Sequence, residues 1–513
     1  MRGLLWPALV VGILSSSLCV MVVVGWTPLN PQHASGRTKR VTTSSRSPLL
    51  RATVVEDTRF DPISQYTKDD DNDGDKENIS GKDNEDVSIS SLLSFTFEEL
   101  SEHLGGTGKA KACWDCLRIG IDPVWYYGSA GIQEEGPFHE NAGHILQGWP
   151  RQQVEESLAA TSTRGSATNL GKKTLQLLTP IGGDGVEEEI AKLSQISVSP
   201  DGTTKLLLQL VSDGLEVETV IIPWEERGKS TLCVSSQVGC KQGCTFCSTG
   251  RMGRLRSLTT AEILAQMYWA NKIQRLLPEQ REGKFDNAVE LHPIDNCVFM
   301  GMGEPADNIP AVVKAATMMA DGNAFQLAPR RITISTVAPN PKVFGQLAEA
   351  PVVLAWSVHC SKDEIRKQLV PTTKHSMEEL RDGLLSTLRG RSKRLRNTML
   401  EVTLLDEIND SVEDAEHLAN FCRPFYEGPG IKLTVNLIPW NDISASFGPA
   451  LGYRKPKMER VRAYQKVLGE KGVLCFVRTT RGDEEDAACG MLSTKKRKKD
   501  KERAAAAPVD SSK

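Results

Sequence analysis

Apolar positions along the chain change spacing from one region to the next. From Gly3 to Trp26 they run almost unbroken, densest over Ala8–Leu14 and Leu18–Val24, and approach the length of a membrane-spanning or signal segment. From Glu56 to Ser90 they nearly vanish. From Ser91 to Gly171 they return at helical spacing, as in Phe97, Leu100 and Leu104. Three short runs follow, Ile196–Val198, Lys205–Leu210 and Leu215–Ile222, divided by Asp201-Gly202 and Asp213-Gly214, and predict a small β region. From Thr231 onward strand-length runs alternate with helical stretches. The strands are expected at Cys297–Met300, Arg331–Ser335, Val352–Ser357, Thr398–Leu404 and Lys432–Ile438, with a last one at Val473–Arg478. Thr259 and Glu262 are spaced as a capping box, opening a helix that buries Ile263, Leu264, Met267 and Tyr268. Alternation of this kind predicts an α/β chain with parallel strands, which close readily into a barrel and carry functional residues at their C-terminal ends. The marked residues do fall there: Gly303-Glu304, Ser335-Thr336, Ser357-Val358-His359 and Asn436.

Composition refines this picture. At 513 residues and 39% hydrophobic, the chain can hold two or three domains and a large core. The net charge of −3 speaks against a nucleic-acid partner only until it is divided. Twelve acids and four bases lie between Glu56 and Asp86, and subtracting that −8 from the chain's −3 leaves +5 for the remainder. A mildly basic remainder is compatible with an RNA substrate. No Asp or Glu precedes Glu56, while Arg37, Lys39, Arg40, Arg46 and Arg51 lie among Ser and Thr. A signal-like run followed by a transit-like run reads as a bipartite plastid address, against the alternative of an anchored or secreted protein. The acidic stretch reads as a disordered linker, and Asp69-x-Asp71-x-Asp73-Gly74 within it imitates an EF-hand loop but has Ser80 where Glu is required. Lys495–Lys499 begins a solvated basic tail with weak RNA affinity. Twelve cysteines in so long a chain read as reduced thiols, not as a disulfide framework.

The densest cysteine group is Cys240-Lys-Gln-Gly-Cys244-Thr-Phe-Cys247. Three thiolates on one short loop hold three corners of a four-iron cluster and leave one iron open to chemistry. A Cys3His zinc site is the alternative for the same spacing. Cys113-Trp-Asp-Cys116, with no second pair, is expected to pack on a helix face.

The CxxxCxxC run with an aromatic before its last cysteine resembles the signature of radical SAM enzymes. A closer resemblance, to the RlmN/Cfr radical SAM RNA methyltransferases, rests on motifs in order. These are Cys233-Val-Ser-Ser-Gln-Val-Gly-Cys240, Cys244-Thr-Phe-Cys247-Ser-Thr-Gly, Gly301-Met-Gly-Glu304-Pro305, Ile334-Ser335-Thr336, Ser357-Val-His359, Asn436-Leu-Ile-Pro-Trp440-Asn441 and Arg481-Gly-Asp-Glu-Glu-Asp-Ala-Ala-Cys489-Gly490. The resemblance implies a partial (βα)6 TIM-like radical SAM barrel with an N-terminal small helical accessory domain. It implies a [4Fe-4S] cluster on Cys240, Cys244 and Cys247, and S-adenosyl-L-methionine (SAM) held by Gly303, Glu304, Ser335, Ser357, Val358, His359 and Asn436. The reaction it implies is methylation of adenine C2: Cys489 is first methylated, a radical formed from a second SAM activates that methyl group, Glu218 removes the ring proton, and Cys233 attacks Cys489 to release the product through a transient disulfide. The implied partners are ribosomal RNA, with tRNA as a second substrate, and a flavodoxin- or ferredoxin-type electron donor. The enzyme is expected to act as a monomer with no stable membrane association after processing. Arg391, Lys393, Arg394 and Arg396 offer a basic patch for phosphates. The expected organisation is 1–54 targeting region, 55–90 linker, 91–200 accessory RNA-contacting domain, 201–492 core with its leading β region, and 493–513 basic tail.

Overall fold

The computed structural model describes residues 91–128, 151–181, 185–275, 291–428, 430–443, 452–482, 487–488 and 490–492. The targeting region, the linker with its EF-hand-like run, the basic tail and Cys489 lie outside the described residues. Among those described, no helix is long and apolar enough to cross a membrane.

Six helices come first: α1 Phe97–Leu104, α2 Thr107–Ile119, α3 Pro123–Tyr127, α4 Arg151–Thr161, α5 Lys172–Leu178 and α6 Val186–Glu189. α1 starts where Thr96 and Glu99 exchange hydrogen bonds, Thr96 N–H donating to Glu99 Oε2 at 2.7 Å and Glu99 N–H to Thr96 Oγ1 at 3.2 Å. α2 ends at Gly120 in the left-handed region, φ 82°. A Cβ there would lie 2.5 Å from Lys272 Cβ, so only glycine lets α2 close onto the core at that point. Cys113 and Cys116 are fully buried free thiols on α2, packing as expected.

One ten-stranded sheet follows. β1 Ala191–Val198, β2 Thr204–Leu210, β3 Glu216–Trp224 and β4 Lys229–Val234 pair antiparallel in sequence order. β5 Gln237–Cys240 and β6 Gly253–Ser257 form a separate hairpin. β4 then continues the main sheet through β7 Ile294–Phe299, β8 Ile332–Thr336, β9 Val353–Ser357, β10 Asn397–Leu404, β11 Lys432–Pro439 and β12 Cys475–Val477, all parallel. The order β1-β2-β3-β4-β7-β8-β9-β10-β11-β12 ends on two unjoined edges, so the barrel is open. The intervening helices are α7 Ser248–Arg251, α8 Thr260–Arg275, α9 Ile309–Ala320, α10 Val343–Leu347, α11 Asp363–Leu369, α12 Met377–Gly390, α13 Val412–Tyr426 and α14 Met458–Glu470.

Two readings need correction. The boundary at 200/201 falls in the turn joining β1 to β2, so β1 belongs to the sheet and not with the helices before it. α8 opens on the expected capping box, with Thr259 N–H to Glu262 Oε2 at 2.8 Å. It is nevertheless buried from Ala261 to Ile273 on every side, not on one. The reason is that α2, α9 and the Leu92–Ser94 turn pack on it as well as β4, and its polar residues are bonded internally: Tyr268 O–H donates to Glu187 Oε1 at 2.8 Å and Gln266 Nε2 to the Ser235 carbonyl at 2.9 Å.

The C-terminal strand ends are clamped by Arg366 of α11. Its guanidinium is buried and donates to the carbonyls of Ser357 at 2.7 Å, Val358 at 2.8 Å and Val337 at 2.5 Å. Charge-assisted bonds of this kind contribute about 1.5–3 kcal/mol each, and their loss leaves buried carbonyls unsatisfied. Arg366→Met is therefore expected to lower stability by about 3 kcal/mol or more, read as a drop in the urea unfolding midpoint.

Candidate active site

The cysteine loop leaves β5 at Cys240 and re-enters regular structure at α7. It is fastened from several sides. Thr245 N–H donates to the Leu369 carbonyl at 3.1 Å, Trp440 Nε1 to the Phe246 carbonyl at 3.0 Å, and Cys247 N–H to the Cys244 carbonyl at 3.1 Å. Phe246, the aromatic before the last cysteine, meets the His359 ring edge-on at 4.5 Å. Gly250 of α7 passes so close that a Cβ there would lie 2.8 Å from Cys244 N. Burial pushes all three thiols up, Cys244 to about 12, with Cys247 the next contributor at Cys244. Thiols gathered in this way are poor anions alone and good ligands once a cation brings them positive charge. Among the described residues no group of three His, Cys, Asp or Glu side chains is gathered around one metal-ion position. A cluster instead takes its thiolates at separate irons, and three thiols around one cavity suit it.

That cavity is open to solvent, and the space in it and its mouth comes to about 920 Å³. Cys240, Cys244 and Cys247 form one side. Gly303, Glu304, Ser335, Ser357 and His359, from the ends of β7, β8 and β9, form the other. Glu304 is buried, and that burial lifts its carboxyl to about 7 even though Thr336 Oγ1 donates to it at 2.5 Å, Val337 N–H at 3.0 Å and Ala306 N–H at 2.9 Å. Ser335 Oγ and Ser357 Oγ stand 3.1 Å apart. His359 holds left-handed backbone, φ 54°, fixed by its N–H to the Glu401 carbonyl at 3.0 Å and by Asn409 Nδ2 to its own carbonyl at 2.7 Å. Burial, then the Arg366 charge, keeps its ring well below the usual histidine range and so neutral. Nδ1 accepts the Thr403 N–H at 3.3 Å, which assigns the ring proton to Nε2.

Val358 and Asn436 do not line the cavity. Val358 is fully buried in the core. Asn436 is the in-register neighbour of Glu401 on the adjacent strand and donates to Glu401 Oε1 at 2.9 Å. Glu401 is a cavity residue that sequence reasoning missed, and its other carboxylate oxygen lies 3.7 Å from Arg478. Its signal was legible: one charged residue within the otherwise apolar run Thr398–Leu404. The basic patch fares differently. Arg391 is buried and donates to the Ala350 carbonyl at 2.8 Å, and the group precedes β10, at the strand end opposite the cavity.

Glu218 and Cys233 lie on β3 and β4. The register pairs Val220 with Cys233 and Leu207 with Glu218, which puts Glu218, Cys233 and Lys205 on one sheet face. Lys205 Nζ lies 3.4 Å from Glu218 Oε1, both side chains under a tenth exposed. Lys205 was read only as the start of a strand. Cys233 is a half-buried free thiol, as are or are more deeply buried all ten cysteines among the described residues. Cys489 is outside those residues, but its neighbours are not: Gly490 lines the cavity, its carbonyl accepts the Ser248 N–H at 2.8 Å, and Thr249 Oγ1 donates to the Leu492 carbonyl at 2.7 Å.

Comparison with known proteins agrees with this geometry. Residues 234–422 match the radical SAM superfamily. Over 298 residues the chain is 41% identical to a dual-specificity RNA methyltransferase RlmN of Xanthomonas campestris pv. campestris strain B100, covering 57% of this chain and 70% of that protein. The protein of the same description from strain 8004 matches at the same identity and coverage. A crystal structure of a radical SAM methyltransferase from Sphaerobacter thermophilus superposes with a TM-score of 0.56 at 28% identity, covering 78% of this chain and 98% of that one. With three buried thiols on one loop, a carboxylate across the cavity and this extent of identity, the chain is a member of the RlmN family of radical SAM RNA methyltransferases.

Proposed function

We propose that this protein methylates C2 of adenosine in RNA, with ribosomal RNA as substrate and tRNA as a second one, by way of a methyl group carried on Cys489. Its cofactors are a [4Fe-4S] cluster and SAM, as in the radical SAM family to which it belongs. The curated relatives are described as dual-specificity enzymes, which supports more than one substrate. C2 is electron-poor and its hydrogen is not acidic, so it cannot attack a methyl donor. The bound cluster and SAM supply the one-electron chemistry that no side chain can, and the protein supplies geometry.

Cys240, Cys244 and Cys247 would hold the cluster, losing their protons as they bind iron. Glu304 would take the SAM ammonium, since a cation restores the ionised form that burial disfavours. Ser335, Ser357 and neutral His359 would offer hydroxyl and Nε2–H groups to the rest of the molecule, with Asn436 acting through Glu401. Glu218, with Lys205 Nζ 3.4 Å from its Oε1, would take the ring proton. Cys233, on the same face, would attack the sulfur of Cys489 and release the product, a disulfide made and broken in each cycle. The observation that carries this reading is Gly490: the residue next to Cys489 stands in the wall of the cavity that the cluster cysteines line.

The deciding experiment is mass spectrometry of RNA incubated with anaerobically reconstituted protein. Wild type is expected to yield 2-methyladenosine. Cys489→Ala should yield none while keeping full iron and sulfide, and Glu218→Gln should slow methylation by about 10²–10⁴-fold. Normal methylation by Cys489→Ala would end the methyl-cysteine route. Glu304→Gln, with iron content intact, is expected to weaken SAM binding by about 30-fold, or about 2 kcal/mol for a charge-assisted contact, as titrated calorimetrically. Gly250→Ala forces a Cβ against Cys244 N, so reconstitution should give a folded protein with less than half the wild-type iron, measured by colorimetric iron and sulfide assay.

A further inference from the structure

Trp224 closes β3 and is 37% exposed, among the largest exposed apolar side chains of the described residues. Arg481 stands over its ring at 4.8 Å and Arg227 at 5.5 Å, both within cation–π range. Neither guanidinium has a carboxylate partner among the described residues. The indole is fixed by its N–H to Thr231 Oγ1 at 3.0 Å.

The stack continues into the candidate chemistry. Register pairs Val220 with Cys233, Ile222 with Thr231 and Trp224 with Lys229, so alternate residues of both strands share a face from Trp224 to Glu218. On that face Trp224 and Lys229 are exposed and Ile222, Thr231 and Cys233 half-buried, while Val220 and Glu218 at the inner end are buried, as are Val217, Thr219, Ile221, Leu232 and Val234 on the other face. At about 3.3 Å per residue the accessible part, Lys229 to Cys233 with Trp224 and Ile222 beside it, is about 13 Å long, enough for about two nucleotides of extended strand. Its outer end touches the cavity wall as well: Thr480, beside Arg481, donates to Oδ1 of the cavity residue Asn441 at 3.0 Å.

We propose that the Arg227–Trp224–Arg481 stack is a docking platform for the single-stranded RNA flanking the target adenosine, a base stacking on the aromatic or guanidinium plane and its phosphates pairing with the two arginines. The proposal rests on the assignment of RNA as substrate. Carboxylates limit its reach: Glu225 and Glu226 are exposed in the adjoining turn, and Asp483–Asp486 follow Arg481 in sequence. The contact is therefore led by stacking, with charge as the smaller part.

Fluorescence anisotropy of a labelled, unstructured oligoribonucleotide against the full-length holoenzyme tests it. Trp224→Ala is expected to weaken binding about tenfold, and Trp224→Phe to restore most of the loss. R227Q combined with R481Q should reduce the slope of log affinity against log salt by about 1.4, two phosphate contacts at about 0.7 each. Iron content and SAM binding should match wild type in every variant; should Trp224→Ala fail to fold, the arginine variant decides. Unchanged RNA affinity and salt slope would overturn the platform. So would slowed methylation at unchanged affinity, which would make the stack a latch for the Cys489 segment. Methylation of ribosomal RNA by wild type reads the functional assignment separately: if it stands while the variants bind RNA normally, only the platform fails.

Discussion

Three thiols brought together in a dry pocket have no favourable charge state of their own. As thiolates they repel one another and lack water; as thiols they leave weakly bonded polar atoms packed against Phe246 and Trp440. The loop holds them there because its backbone is fastened elsewhere, to Leu369, to the indole of Trp440 and to Gly490. The energy that orders the loop comes from these contacts, and the thiols are left available for metal. The same fastenings connect the loop to α11, β11 and the C-terminal segment, so the pieces that meet at the cavity are distant in sequence and share one support.

That support explains why the sheet is open. A closed barrel fills its interior with side chains, whereas this sheet ends at β1 and β12 and keeps a cavity of about 920 Å³ at the strand ends. β1–β3 extend the sheet antiparallel to β4, and the end of β3 and β4 around Trp224, Lys229 and Thr231 stays accessible on one face. A polymer substrate needs such a side entrance, since a base cannot be threaded down the axis with its strand attached on both sides.

Much of this was legible from residue pattern. The parallel strands from β7 to β11 fall within one to three residues of their apolar runs because buried strands read as unbroken apolar text. β1 begins at Ala191, earlier than the apolar run at Ile196, because Lys192, Ser194 and Gln195 mark an outer strand with one wet face. α8 was read as one-sided because sequence does not show that α2 lies across it. At the site, residues within motifs were found and their supports were not. Lys205 and Glu401 betray themselves only as lone charges in apolar strands, and Arg366 sits in an ordinary amphipathic helix with nothing to mark that it crosses to three carbonyls.

Three buried carboxylates, two at the cavity and one on the β3 face, differ in what stands beside them. Glu304 is bonded to two backbone N–H groups and a hydroxyl, donors that fix its position without neutralising it, so burial still prevails and the carboxyl waits for a cation. Glu401 is shared between an amide and a distant guanidinium, which suits a group that orients a neighbour. Glu218 has the Lys205 ammonium 3.4 Å from its Oε1, an ion pair between neighbouring strands. Burial is common to the three carboxylates, and what distinguishes them is the partner beside each: a hydroxyl and backbone amides for Glu304, a side-chain amide for Glu401, an ammonium for Glu218.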